Sequence, residues 1–137
     1  MTVLLVDAAN VVGARPDGWW RDRAGAATRL LGRLAGLPGR SLPGPDGGVV
    51  VCDEVVAVVE GQARDVTAPV GVRVERAIGS GDDALAACAA RLTADGTRLL
   101  VVTADRGLRA RLPPATPVAG PGWLWRLLDE IGCAPPA

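Results

Sequence analysis

The chain has 137 residues, 49% of them apolar, which suits one domain with a single buried core. Its 15 basic and 15 acidic residues cancel to zero net charge, which argues against strong, unselective binding to nucleic acid or membrane. It contains no His, Lys, Tyr or Phe.

The missing residue types narrow the chemistry. Without His there is no Ser-His-Asp or Cys-His pair and no H-E-x-x-H zinc site. Without Lys there is no Walker A loop and no Schiff base. Carboxylate, hydroxyl, thiol, amide and guanidinium remain. Carboxylates without histidine suit Mg²⁺ or Mn²⁺ better than Zn²⁺. Cys52, Cys88 and Cys133 are widely spaced and form no C-x-x-C pair, so reduced, buried thiols are expected. No apolar run reaches the roughly 18 residues of a membrane span, and no signal peptide is visible. A cytoplasmic protein with no membrane partner is expected.

In chain order, Thr2 to Val6 reads as a buried strand followed by a turn at Asp7-Ala8-Ala9-Asn10. A helix is expected from about Trp19 to Ala35, capped by Asp17, with Trp20, Ala24, Ala27, Leu31 and Leu34 on its buried face. The Gly- and Pro-rich stretch from Leu37 to Gly48 reads as a loop. Val55 to Val59 is a core strand ending in Glu60-Gly61, preceded by an extra strand or an extension from Val49, and by a turn at Asp53-Glu54. Gly71 to Glu75 alternates like a more exposed strand. An Ala-rich helix follows from Asp82 to about Thr93, then a buried strand from Leu99 to Val102. A short helix after Asp105 is stopped by Pro113-Pro114. Thr116 to Val118 is a last strand, and a helix from Trp123 to Ile131 is ended by Gly132 and Pro135-Pro136. This order predicts a three-layer α/β/α domain with a mainly parallel sheet. Residues 62–70 are barely long enough for a parallel crossover.

Three acidic points fall at strand and helix ends: Asp7, the pair Asp82-Asp83, and Asp105. Ligands bind at the carboxyl ends of the strands in open α/β sheets. Each acid has a plain alternative: an Asx turn at Asp7 and Asn10, a capping box at Ser80-x-x-Asp83, an N-cap at Asp105. Together, packed acids repel one another unless a cation neutralises them. Glu60 is a further ligand or base candidate, with an exposed strand-end acid slightly preferred. Arg106 and Arg109, three apart on one helix face, are candidates to hold a phosphate backbone. Arg21 and Arg23 lie beside Trp19 and Trp20, where bases can stack and guanidiniums can grip phosphates. Trp20 is expected in the core.

The segments Val-Asp-Ala-Ala-Asn-Val-Val at 6–12, Val-Val-Glu-Gly at 58–61, Gly-Ser-Gly-Asp-Asp-Ala at 79–84 and Val-Val-Thr-Ala-Asp-Arg-Gly-Leu-Arg at 101–109 resemble the NYN branch of the PIN-like nuclease superfamily. The resemblance runs across nearly the whole chain in the expected order. It implies one PIN-like α/β/α domain over 1–137, an acidic site for Mg²⁺ or Mn²⁺, and RNA hydrolysis. By position Asp7 is similar to the family's first-strand aspartate and Asn10 to the neighbouring asparagine. Asp82 or Asp83 is similar to the central acid, and Asp105 to the acid after the fourth strand.

The reading is a metal-dependent endoribonuclease with RNA as partner. Asp7, Asn10, Asp83 and Asp105 are the catalytic candidates, and Asp7, Glu60, Asp82, Asp83 and Asp105 the metal ligands. Ser80, Arg21, Arg23, Arg106 and Arg109 are the substrate-binding candidates. A non-catalytic RNA- or nucleotide-binding module of the same fold is the alternative. A third reading is a protein-interaction domain using the Trp123-Leu124-Trp125 helix. A homodimer is left open.

Overall fold

The computed structural model describes residues 1–133, with the side chain of Cys133 excepted. The expected helix stop at Pro135-Pro136 lies outside the described residues, as does the expected burial of Cys133. The elements in order are β1 (Thr2–Asp7), α1 (Ala8–Gly13), α2 (Arg23–Leu34), β2 (Arg40–Pro43), β3 (Val49–Cys52), β4 (Glu54–Val59), β5 (Val72–Arg76), α3 (Gly81–Ala94), β6 (Arg98–Val102), α4 (Arg106–Ala110), β7 (Val118–Ala119) and α5 (Pro121–Cys133). Two 3₁₀ turns, Trp19–Arg21 and Gly61–Ala63, precede α2 and follow β4.

Five strands form one parallel sheet in the order β5-β4-β1-β6-β7. Strand parity sorts the core into two layers, because successive side chains leave opposite faces of a strand. Leu4, Val6, Ala57, Val59, Leu100 and Val102 pack in the same cluster as Leu30, Leu31 and Leu34 of α2 and Leu124, Leu127 and Leu128 of α5. Val3, Leu5, Val56, Val58, Leu99 and Val101 pack in a second cluster with Leu85, Cys88 and Ala89 of α3 and Leu108 of α4. Helices therefore cover both faces, and the inner strands carry continuous apolar runs over Val3–Val6, Val55–Val59 and Leu99–Val102, as doubly covered strands do. The result is a three-layer α/β/α architecture with a parallel central sheet.

The chain steps outward from β1 through β4 to β5, then returns to β1's other side as β6 and continues to β7. The switch point lies between β1 and β6, whose register pairs Val6 with Val102. Both strands end there at their carboxyl edge, the edge where open α/β sheets leave a crevice.

Several sequence expectations are corrected. The turn at Asp7-Ala8-Ala9-Asn10 is the start of α1, because Asp7 caps it by accepting the Asn10 N–H at 3.4 Å. The next helix starts at Arg23 rather than Trp19, and its cap is Asp22, whose carboxylate accepts the Gly25 N–H at 2.9 Å. Asp17 makes no such cap, and Trp20 is 52% exposed rather than in the core. It sits on the 3₁₀ turn, off the helical face that buries Ala27, Leu31 and Leu34.

The expected loop from Leu37 to Gly48 contains β2, which forms an antiparallel hairpin with β3, outside the main sheet. Leu42 anchors that hairpin in the core. Instead of marking a free turn, Asp53 ties the hairpin to β1, its carboxylate accepting the Thr2 N–H at 2.8 Å. Glu54 opens β4. The short crossover after Glu60 still joins parallel neighbours, β4 and β5, by way of the 3₁₀ turn and the buried Val66. Cys52 and Cys88 are buried free thiols, and burial pushes the Cys52 thiol up to about 11.

Candidate active site at the carboxyl edge of the sheet

Parity places the site residues. Asp7 follows Val3 and Leu5 on β1, so its side chain leaves the face covered by α3. Thr103 follows Leu99 and Val101 in the same way, and Glu60 follows Val56 and Val58. Three adjacent strands thus deliver one polar group each to the same face, just past their apolar segments. Asp7 and Thr103 are the buried polar residues there. The Thr103 hydroxyl donates to Asp7 Oδ2 at 3.0 Å and accepts the Asp105 N–H at 3.1 Å.

Asn10 closes the same junction from α1. Its Oδ1 accepts the Ala104 N–H at 2.8 Å, so the amide ties the loop after β6 to the loop after β1. Asp105 is the N-cap of α4, with Oδ1 accepting the Leu108 N–H at 3.0 Å. That cap leaves its second carboxylate oxygen without a recorded partner among the described residues.

Helix α3 aims its first turn at this edge. Ser80 is its N-cap, its oxygen accepting the N–H groups of Asp82 at 3.1 Å and Asp83 at 3.4 Å. The Glu60 carboxylate accepts the N–H of Gly81. A β-carbon on Gly81 would collide with that carboxylate, so glycine is needed for the close approach. Glu60 is accordingly a half-buried, bonded acid, not the exposed strand end that the sequence slightly favoured.

The two acids of the pair diverge. Asp83 is exposed and its Oδ1 pairs with Arg111 at 2.8 Å. That pairing replaces the return bond of a capping box. Asp82 turns to the acids. Burial raises its carboxyl pKa, the charges of Asp105 and Glu60 raise it further, Arg111 opposes them, and Asp83 adds a smaller rise. Burial likewise lifts Asp7 above the usual carboxylate range. The Thr103 and Asn10 hydrogen bonds oppose that rise, while Asp82 and Glu60 add to it. Asp7, Glu60, Asp82 and Asp105 therefore share one electrostatic field from four separate elements. Among the described residues, no three acidic or cysteine side chains are close enough to form a closed ion-binding group. As a donor set, hard carboxylate oxygens that repel one another fit a hard divalent cation.

The arginine candidates take three positions. Arg106 and Arg109 are exposed on α4 and are in no ion pair among the described residues. Arg23 lies 5.2 Å over the Trp19 ring, and Arg21 lies 6.0 Å from the Trp20 ring centroid. Two further groups had no role assigned from the sequence. Thr103 could have been found from its parity with Asp7 at the end of the paired strand. Arg111 had no local signal, because its partner Asp83 comes from another helix.

The helix proposed as an interaction surface is already used within the chain. Trp123 Nε1 donates to the Pro43 carbonyl at 3.1 Å and Trp125 Nε1 to the Val11 carbonyl at 2.9 Å. Leu124 is fully buried. Arg15 also covers the Trp125 ring at 4.0 Å.

No family model matches the chain, and no curated protein matches it. Among solved structures, the chain is similar to Rae1 (YacP) from Bacillus subtilis, in a crystal structure of its W164L mutant. The TM-score is 0.67 at 20% identity, covering 96% of this chain and 77% of that one. The likeness extends over nearly all of the chain and is one of fold. No helix among the described residues is long and apolar enough to cross a membrane.

Proposed function

We propose that this chain is an NYN-type, metal-dependent endoribonuclease whose centre is Asp7, Asp82, Asp105 and Glu60. The observation that carries the reading is the convergence of acids from four elements on one sheet edge. Burial raises the carboxyl pKa of Asp7 and Asp82, Asp82 and Glu60 raise Asp7 further, and Asp105 and Glu60 raise Asp82 further. Acids brought together from separate elements repel one another, and a bound cation would relieve that repulsion. Mg²⁺ or Mn²⁺ bound among these oxygens would supply an activated water and polarise the phosphodiester.

The chain's own groups do the rest. Thr103 holds Asp7 in one orientation and fixes the backbone of Asp105. Asn10 locks the loops after β1 and β6 together, acting as a positioning residue through Ala104. Asp83 stands outside the group of acids, and with Arg111 it braces α3 against the segment after α4. Arg106 and Arg109, exposed on α4 after Asp105, would meet the phosphate backbone.

Cleavage of a labelled single-stranded RNA with Mn²⁺ or Mg²⁺, with and without chelator, tests this. Cleavage by the wild type that chelator and Asp7→Asn both abolish is the expected result. The second reading, a non-catalytic RNA- or nucleotide-binding module, is favoured by the spacing of the same acids, none of which form a closed group. Metal-independent binding without any cleavage would select it.

A further inference from the structure

A pocket of about 260 Å³ opens beside the acidic edge, on the opposite face of the sheet from α3. Its apolar walls come from Ala8 and Val12 of α1, and its rim carries Trp19, Arg23, Glu60 and Gln62. The volume is below the roughly 300–1,000 Å³ of ordinary small-molecule pockets, so it suits one planar group rather than a whole ligand. Glu60 borders both this pocket and the acids, since its carboxylate bonds Gly81 at the start of α3. The pocket is therefore next door to the proposed phosphodiester site.

We infer that this pocket receives one nucleobase of the nucleic-acid strand, stacked on Trp19 and held by Arg23, while the adjoining phosphate lies at the acidic edge. The inference rests on the ribonuclease reading for its choice of an RNA strand. Its chemistry is independent of that reading. Trp19 is half-buried and held in place, with the Trp20 ring edge-on at 5.9 Å and the Arg23 guanidinium over its face at 5.2 Å. A fixed indole is a stacking platform for any base, because every base has a π-face. A guanidinium plane beside it can stack or grip a phosphate. The Gln62 amide carries both donors and an acceptor at the rim, the equipment needed to meet a base edge. Arg23 thereby gains a role that neither the core nor an ion pair provides.

The experiment measures binding of a short single-stranded oligoribonucleotide in chelator, together with the same oligomer carrying an abasic residue at each position in turn. A parallel arm uses the four free nucleoside 5′-monophosphates and ribose 5-phosphate. Trp19→Ala and Arg23→Ala should each weaken binding of the intact oligomer about 5- to 150-fold. Trp19→Phe, which keeps a ring and guards against simple misfolding, should retain most of it. One abasic position should cost the wild type a similar factor and cost Trp19→Ala nothing further. Arg98→Ala, at the opposite edge of the sheet, should not reproduce the loss. Equal affinity of the wild type, Trp19→Ala and Arg23→Ala, or an abasic penalty undiminished in Trp19→Ala, overturns the pocket even if RNA is cut with metal. If no oligomer is bound or cut, yet monophosphates bind in a Trp19-dependent way and ribose 5-phosphate does not, the base pocket stands and the ribonuclease reading falls.

Discussion

The Thr103 hydroxyl donates to Asp7 Oδ2 at 3.0 Å across the β1–β6 switch point, and Thr103 Oγ1 in turn accepts the Asp105 N–H at 3.1 Å. One hydroxyl thus links two acids separated by most of the chain. Thr103→Val keeps the shape and removes both bonds, leaving a buried carboxylate oxygen and an amide short of partners. Urea denaturation should show a loss of about 1–3 kcal/mol. Thr103→Ser should recover most of it, and an unchanged midpoint for Thr103→Val would show that water replaces the hydroxyl.

Asp7 has a raised pKa, first from burial and then from Asp82 and Glu60. The sign follows from linkage. An acid whose folded pKa exceeds its ordinary 3.8 is destabilising when ionised. The penalty starts as pH rises through 3.8 and is complete above the folded pKa. In chelator, Asp7→Asn should therefore melt higher than wild type at neutral pH, and the gain should shrink on acidification below that range. A gain that is independent of pH would trace to packing instead of charge.

Divalent cation should reverse that order. A ligand that binds only the folded state adds RT ln(1 + [L]/Kd), about 2.7 kcal/mol at a hundredfold excess over Kd. Wild type should gain stability in Mn²⁺ and lose it on chelation. Asp82→Asn should remove most of the gain, whereas Asp83→Asn should leave it, because Asp83 is turned outward to Arg111. Thermal melts of the three proteins across Mn²⁺ concentration decide this. Equal responses from both variants would return the two aspartates to equivalence.

Gly81→Ala addresses Glu60 without touching its charge. The added β-carbon collides with the Glu60 carboxylate, which must swing away. Helix propensity by itself would favour alanine by about 1 kcal/mol. If Glu60 belongs to the centre, cleavage should fall while stability changes little or rises. Full cleavage activity in Gly81→Ala would remove Glu60 from the site.

Arg106 and Arg109 should act on phosphate. Arg109→Ala should weaken RNA binding at low salt and reduce the slope of log affinity against log salt by about one. Arg106→Ala, beside Asp105, should also lower turnover. Filter binding at several salt concentrations reads the first effect and initial cleavage rates the second.

The doubly covered parallel sheet was legible in the sequence because β1, β4 and β6 each carry an unbroken apolar run of four or five residues, the pattern of strands buried on both faces. The acids at 7, 82–83 and 105 were legible because strand ends and helix starts are local features. Asp7 and Asp105 come together because β1 and β6 are neighbours in the sheet. What the linear pattern left open was direction. Asp82 and Asp83 are adjacent in one helical turn, and nothing local says which faces the acids. Tertiary packing decides it, by supplying Glu60 and Asp105 on one side and Arg111 on the other. Trp20 went wrong for a related reason: its spacing fits the buried face, but Asp22 starts α2 after it and leaves it on a turn. The β2 strand hid in Gly and Pro because four residues with one buried leucine carry too short a period to read, whereas its partner β3 falls where an extra strand from Val49 was allowed. Periodicity reports how much of an element is buried; which neighbour a terminal side chain meets depends on chain segments far away, and only the assembled fold sets that.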